Sequence, residues 1–471
     1  MSARSLSALL LATSLLAGCA VGPDYTAPAP KLASQWVAPV AAGEAATDKW
    51  WESLNDPLLN SLTDEMLAAN PNLREAQARL AEARAARGVV RGQALPQVQA
   101  NANASETVLS KNGQIPIGAI PGFSREFGLF DGGFDASWEI DLWGRRAREN
   151  EAAQAREEQA ALAAQGARMQ LVAELARAYV DLRLAQHQAA LAGDALEARE
   201  TLARLTALRE RAGEASQIEV DQAASETANA QGIVANAQAA ARGAALRVTA
   251  LVGAQPDAML PRLETAAPIP VAPSAIAAGL PSDLLRRRPD IRAAERNLAA
   301  ATADVGVATA DLFPRLRLSL SLGQQARALG DLFSGDSTRL GLGPGLSWPV
   351  FSGGTTRARI HMADARVDQA AARYDAAVIS ALSDSETAIN RFDRSVAAQA
   401  ATDAALAHDS SAFALVQQRN QAGEEDRLAL TRAKLAYIAA RQRSDEARAA
   451  ASAAAIGLHK ALGGGWDDSR K

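Results

Sequence analysis

Alternating apolar and polar residues are the clearest pattern in this chain, and they predict β-strands. At about 315–323 every second residue is leucine, and arginine, serine or glycine lies between. At about 338–350 leucine and tryptophan alternate mostly with glycine, arginine and serine. Weaker runs of the same period cover about 97–109 and 128–142. Because a period of two places alternate side chains on opposite faces of a sheet, we predict two pairs of strands, each with one apolar face.

These predicted strands have the length and pattern of strands that cross a membrane. Such a strand needs about 9–11 residues that alternate between lipid-facing and interior-facing side chains. The predicted lipid-facing residues are Leu316, Leu318, Leu320, Leu322, Leu340, Leu342, Leu346 and Trp348. Trp138 and Trp348, near one strand end in each pair, suit an aromatic girdle. The alternative is a half-buried sheet of a soluble protein, although Pro344 fits poorly in the centre of such a sheet.

Four strands from one chain are too few to close a barrel. Hydrocarbon offers no partner to the backbone groups on an open sheet edge. We therefore expect other copies of the chain to complete the sheet, and three copies would supply twelve strands.

Long segments without proline carry apolar residues at alternating spacings of three and four, the pattern of coiled-coil helices. The predicted long helices span about 145–212, 215–253, 355–421 and 425–463, and a shorter helix spans about 283–313. The first would reach roughly 100 Å at the rise of an α-helix. Alanine is abundant and aromatic residues make up only 4% of the chain, which favours closely packed helices over one large globular core.

The chain contains an internal repeat, in which the same landmarks occur twice in the same order. The matching pairs include Asn70-Pro71 with Arg288-Pro289, Ser137-Trp138 with Ser347-Trp348, and Ala212-Gly213-Glu214 with Ala422-Gly423-Glu424. Each half begins with a helix and a strand pair, and then has a very long helix, a small-residue turn and a second long helix. We place the two structural repeats at 58–260 and 275–465.

The N-terminus has the features of an export signal with a lipid anchor. Residues 1–18 contain a basic residue and an apolar stretch, and Leu16-Ala17-Gly18-Cys19 resembles a bacterial lipobox. We predict that Cys19, the only cysteine, becomes the lipidated first residue of the mature chain. Ala20 lacks the charge of an inner-membrane retention signal, and 19–57 reads as an extended segment. The alternative is an ordinary secretory signal with an incidental cysteine.

Charge and residue spacing give no indication of nucleic-acid binding, metal binding or catalysis. The formal net charge of −4 provides no basic field for nucleic acid. The four histidines, at 187, 361, 408 and 459, have neither the spacing of a zinc nor that of a copper site. No set of residues has a catalytic pattern, so we predict neither an enzyme nor a cofactor.

Several motifs resemble those of the TolC-like outer-membrane efflux factors of the NodT lipoprotein type. The most specific is Leu280–Glu295, which contains the run Arg-Arg-Arg-Pro-Asp, and the others are Gly22–Tyr25, Trp50-Trp51, Asp56-Pro57, Glu139–Gly144 and Phe351–Gly354. The resemblance covers nearly the whole mature chain. It implies a homotrimer with a twelve-stranded β-barrel in the outer membrane and a helical barrel in the periplasm. It also implies a passive conduit that serves a periplasmic adaptor and an inner-membrane pump of the resistance-nodulation-division class, and that exports small molecules.

Two small-residue turns are the predicted docking tips for the adaptor. Ala212-Gly213 and Ala422-Gly423 each lie between two long helical patterns, and glycine tolerates the positive φ that a tight reversal needs. The resemblance places the closing constriction at this end. The candidates for it are Asp409, Gln417, Gln418, Arg419 and Glu424, although the acidic rings common in the family are missing here.

The alternative function is a periplasmic coiled-coil lipoprotein, structural or adaptor, without a channel. This alternative would explain the helices, but a coiled-coil protein does not need four strands with an alternating pattern. The scarcity of methionine and the scattered histidines favour organic cargo over copper or silver.

Overall fold

The computed structural model describes residues 20–41, 43, 49–110 and 124–465. The chain forms two compact units, each built from separate stretches of sequence. One contains residues up to Pro28, Leu80–Ala160 and Ala294–Tyr374, and the other contains Ala29–Arg79, Ala161–Ala293 and Asp375–Lys471. Both units draw on both sequence repeats, so the repeats do not correspond to consecutive domains.

The first unit contains a four-stranded antiparallel sheet in the order β1-β2-β3-β4. The strands span Gln97–Val108, Glu126–Ile140, Arg315–Ala326 and Thr338–Ser347. The two predicted strand pairs are joined because β2 pairs with β3 along its length, with Ala136 opposite Leu320. On the far side of β3, Leu320 lies opposite Leu342 of β4. Since directly opposed residues share a face, the even-numbered apolar residues of β2, β3 and β4 form one surface.

The last strand is shorter than predicted, and this corrects the position of Trp348. We expected a strand to about 350, but β4 ends at Ser347. Pro349 has no N–H to donate to a ladder, and the N–H of Val350 donates to the carbonyl of Trp348 at 3.0 Å as the chain turns. Trp348 therefore lies just beyond the strand rather than in it.

Helices account for most of the remaining chain. The helices before the sheet and in the first repeat are α1 Pro57–Ala69, α2 Pro71–Gln93, α3 Arg145–Arg211, α4 Gln217–Val252 and α5 Pro256–Glu264. The second repeat contains α6 Leu284–Arg287, α7 Pro289–Ala310, α8 Thr355–Gln421 and α9 Arg427–Ala461. The repeat is visible in α3 and α8, which both have 67 residues. Among the described residues, no helix has both the length and the apolar character needed to cross a bilayer.

The single helix predicted at about 283–313 is wrong, because the chain breaks it into α6 and α7. Arg288 between them has φ −79° and ψ 118°, which is extended backbone. The ring of Pro289 disfavours a helical residue before it and provides no N–H. Asn70 has the same extended conformation before Pro71, where α1 ends.

The core of the second unit forms around a buried aromatic segment near the N-terminus. Trp50 and Trp51 lie in a short 3₁₀ helix and pack with residues of α1 and the middle of α3, among them Leu175 and Tyr179. The imidazole of His459, near the end of α9, stacks on Trp50 with ring centroids 5.1 Å apart. Burial lowers the pKa of His459 to about 4, so this histidine is neutral in the folded protein at neutral pH.

Candidate functional site

No described part of the chain covers the apolar face of the sheet. Leu340, Leu342 and Leu346 on β4 are 68–70% exposed, and Leu318, Leu320 and Leu322 on β3 are 36–47% exposed. The structure brings seven of the eight predicted residues onto this face, and Trp348 lies just past its end. A contiguous patch of large exposed leucines is unusual on a protein surrounded by water and indicates a membrane or a partner.

The opposite face carries charged and amide side chains that bond to one another. Asp131 of β2 accepts two bonds from the guanidinium of Arg339 on β4, at 2.8 and 2.9 Å, across the intervening β3. Gln325 donates to the same carboxylate at 2.9 Å. Gly323 of β3 lies between Gly133 of β2 and Arg339 of β4. A Cβ at Gly323 would come within 2.6 Å of the carbonyl oxygen of Gly132. The glycine thus permits the close strand approach over which the ion pair forms.

Two tryptophans occupy equivalent positions at the end of the sheet where the strands meet the helices. The indole N–H of Trp138 donates to the carbonyl of Ala94 at 3.0 Å, and that of Trp348 donates to the carbonyl of Leu312 at 2.9 Å. Each acceptor precedes the first strand of its own pair. An indole with a satisfied N–H and a partly exposed ring suits the boundary between lipid and water.

Among the described residues, both edges of the sheet are open, because β1 pairs only with β2 and β4 pairs only with β3. An apolar face with two unpaired edges cannot be stable in hydrocarbon unless other strands complete the ladder.

The two predicted turns have the same backbone structure. Gly213 and Gly423 have φ of +79° and +78°. The N–H of Gly213 donates to the carbonyl of Glu210 at 2.8 Å, and the corresponding bond from Gly423 to Asn420 is 3.1 Å. In both turns the N–H of the glutamate after the glycine donates to the carbonyl five positions earlier. This bond is 2.8 Å long at Glu214 and 2.9 Å long at Glu424, and it completes a Schellman motif. Ala212 and Ala422 precede these glycines, so all four predicted tip residues lie in the turns.

A capping residue starts the helix after each turn. The hydroxyl of Ser216 accepts from the N–H of Glu219 at 3.3 Å, and the carboxylate of Asp426 accepts from the N–H of Ala429 at 2.6 Å. These bonds satisfy donors that a helix start would otherwise leave unpaired, so the turns are rigid reversals rather than loose loops.

The candidates for the constriction do not form one site within the chain. Arg419 makes ion pairs with Glu424 at 3.8 Å and with Glu425 at 3.3 Å inside the second turn. Asp409 lies ten residues before Arg419 on α8 and pairs with Arg443 of α9 at 3.8 Å. Gln417 and Gln418 have exposed side chains. Cys19 lies outside the described residues.

A buried polar cluster in the second unit was not predicted from the sequence. The Tyr179 hydroxyl donates to Asp56 at 2.8 Å and accepts from the buried guanidinium of Arg183 at 2.8 Å. Burial raises the pKa of Tyr179 above its ordinary value. Asp56 also accepts from the N–H groups of Leu58 and Leu59 at the start of α1. The Asp56-Pro57 motif was the only sequence signal, and it indicates the helix start rather than the buried arginine.

Within residues 20–41, 43, 49–110 and 124–465, no group of three or more His, Cys, Asp or Glu side chains could hold a metal ion.

The family model for outer membrane efflux proteins matches residues 62–254 and 280–464. This chain belongs to that family. It is 31% identical to the pyoverdine export outer membrane protein OpmQ of Pseudomonas aeruginosa, over 100% of this chain and 99% of that protein. It is 28% identical to nodulation protein T of Rhizobium leguminosarum bv. trifolii, over 81% and 80% of the two chains. The outer-membrane channel OprN has the same fold, with TM-score 0.83 and 34% identity over 95% of this chain and 100% of that one.

These similarities confirm the fold class and the general function predicted from the sequence. The chain is a subunit of a trimeric TolC-like channel to which each copy contributes four strands, and it is located in the outer membrane. It is the outer-membrane component of an efflux system, whose other parts are a periplasmic adaptor and an inner-membrane pump. The family is one of channel-forming proteins.

Proposed function

We propose that three copies of this chain form a passive conduit for small organic molecules, with no catalytic step of its own. The sheet carries the proposal, because it combines an apolar face, a polar face and two open edges in one chain. Closing the edges with two further copies pairs the backbone groups of β1 and β4 and places the polar face around a water-filled interior. The pump supplies the energy, so the channel needs no residue that makes or breaks bonds.

The even-numbered leucines of β3 and β4 are the proposed lipid-facing set. Leu316, Leu318, Leu320 and Leu322 share this face with Leu340, Leu342 and Leu346. Trp348 belongs at the boundary instead, together with Trp138, because both indoles lie where the strands end. Placing these rings at the level of the lipid headgroups fixes the depth of the barrel in the membrane.

The lipid anchor and the adaptor contacts complete the proposal. Cys19 would hold the mature N-terminus in the membrane through its acyl chains, in addition to the barrel. The turns at Gly213 and Gly423 would meet the adaptor, because two equal, capped reversals present a repeated rigid surface. Asp409, Gln417, Gln418, Arg419 and Glu424 remain the candidates for the constriction, and neighbouring copies of the chain would have to bring them together.

The cargo class follows from the named activities of relatives. Similar proteins are named for pyoverdine export, antibiotic efflux and toluene efflux, which are all organic compounds. We therefore propose organic molecules rather than metal ions as the exported class.

Accumulation of a fluorescent compound in the native host tests this function. A strain that lacks this chain should accumulate more ethidium and be more sensitive to tetracycline and toluene than the same strain complemented with it. The Leu320→Arg variant, which should not assemble, is the matched negative control. Equal accumulation and equal sensitivity in the deleted and complemented strains would contradict the proposal.

A further inference from the structure

Among the described residues, one arginine on the polar face of the sheet has no acidic partner. Arg317 of β3 lies opposite Glu139 of β2 on one side and Gly345 of β4 on the other. The Glu139 carboxylate is already held by Arg145 at 3.6 Å and by Arg146 at 3.2 Å. Within the described part of the chain, Arg317 makes no ion pair and its side chain is exposed.

The other carboxylates at this end of the sheet are also occupied. Asp311 accepts from Arg315 at 2.5 Å and lies 3.6 Å and 3.9 Å from Arg145 and Arg359. Glu149 pairs with Arg145 at 3.0 Å and with Arg146 at 2.8 Å. The Asp141 carboxylate accepts from the backbone N–H of Ala147 at the start of α3. Four arginines thus share Glu139, Glu149 and Asp311, while Asp141 caps the start of α3, and Arg317 is left without an acid.

The surface beside Arg317 is open. Between Arg339 and Ser347, the polar-face positions of β4 are Gly341, Gly343 and Gly345, which we call the glycine lane. A Cβ added at Gly343 would meet no atom within 4 Å, and one at Gly345 would meet only the carbonyl oxygen of Arg317, at 3.8 Å. No side chain of β4 therefore lies over this lane next to the guanidinium.

The strand of a neighbouring copy that would continue the sheet brings no acid to the polar face. The open edges are β1 and β4, so the strand expected beyond β4 is β1 of another copy. The polar-face residues of β1 are Gln97, Gln99, Asn101, Asn103, Ser105 and Thr107. Amides and hydroxyls can donate hydrogen bonds, but they carry no charge to neutralise Arg317.

We propose that Arg317 and the glycine lane form an anion-binding site on the inner wall of the channel, one in each chain. Its ligand is the carboxylate, sulfonate or phosphate group of a molecule in transit. A guanidinium offers such a group paired N–H donors, and rings of arginine favour anions in pores. This site rests on the proposed function, because it assumes that the polar face lines the interior.

A cysteine reporter next to the site measures its charge. In the Ser319→Cys variant the thiol is two residues from Arg317 on the same face, about 7 Å along the strand. Purified trimer in detergent is treated with methanethiosulfonate reagents of similar size, one anionic (sulfonatoethyl) and one cationic (trimethylammonioethyl). A unit charge at this distance in water should change each rate about threefold at low salt, and thus the anionic-to-cationic rate ratio about sevenfold.

Three backgrounds separate charge from structure. Adding Arg317→Gln to the reporter should lower the rate ratio about sevenfold at low salt, whereas Arg317→Lys should preserve it. Arg79→Gln, which removes an exposed arginine of α2 in the other unit, is the matched control and should leave the ratio unchanged.

Two failures are distinguishable. If the reporter thiol reacts with neither reagent, the polar face does not line the interior, and the proposed function fails with the site. If the thiol reacts but Arg317→Gln leaves the ratio unchanged, the site alone is wrong and the conduit stands. A loss of the ratio in the Lys variant, or an equal loss in the Arg79 control, would also overturn the site.

Discussion

Replacing Leu320 with arginine places a charge near the middle of the apolar face. Leu320 lies in the centre of the twelve-residue β3, with Ala136 and Leu342 on either side. An arginine at the midplane of a membrane barrel costs about 2–4 kcal/mol on the lipid face. Three copies per trimer bring the cost to about 6–12 kcal/mol. The Ser319→Arg variant introduces the same side chain one residue away, but on the polar face, where the cost is small.

The yield of assembled trimer measures this difference. Outer-membrane fractions of cells that produce each variant are compared on gels without heating, where the trimer migrates as one species, and after heating, where the chains separate. We expect Leu320→Arg to remove most of the trimer and Ser319→Arg to retain it. Equal yields of the two variants, or a greater loss with Ser319→Arg, would refute the assignment of the faces.

Three further predictions concern the anchor, the turns and a buried histidine. The Cys19→Ser variant should lose labelling by radioactive palmitate while the barrel still inserts, and continued labelling would contradict the predicted anchor. Gly213→Trp and Gly423→Trp should leave the trimer intact but abolish cross-linking to the adaptor, because the added side chains alter both tips; wild-type cross-linking in both variants would contradict the docking role. His459 has a pKa of about 4 in the fold, below the ordinary 6.5, so the unfolded chain binds its proton first as the pH falls. The contribution of neutral His459 to the free energy of unfolding is complete above pH 6.5. It decreases by about 1.4 kcal/mol per pH unit as the pH falls toward 4. The thermal unfolding midpoint should therefore fall less steeply over that range for His459→Phe than for the wild type, and equal slopes would exclude this histidine as a cause.

The parts of the fold that were predictable depend on local patterns. The leucines of β3 alternate without a break, and lipid on one side with water on the other imposes that alternation directly. Gly213 and Gly423 were predictable because only a residue without a Cβ adopts positive φ at low cost. The break at Arg288 was also readable from Pro289, but the long helical pattern around it obscured the signal.

The parts that were not predictable depend on contacts between distant residues. The pairing of β2 with β3 joins residues about 190 positions apart, such as Phe134 and Leu322, and no local pattern specifies it. The partners of Arg419 and Asp409 likewise depend on how the chain folds back on itself. The surplus charge of Arg317 becomes apparent only once the register shows that Glu139 is occupied and that Gly345 lies on the other side.

Fluorescence quenching of a single label tests most directly which face of the sheet meets lipid. Bimane is attached at Leu320→Cys or at Ser319→Cys, and the trimer is reconstituted in bilayers that contain lipids spin-labelled on the acyl chain. We expect the spin-labelled lipid to quench the label at 320 and aqueous iodide to quench the label at 319. Quenching of the 320 label by iodide and of the 319 label by lipid would contradict a barrel whose even-numbered strand residues face the membrane.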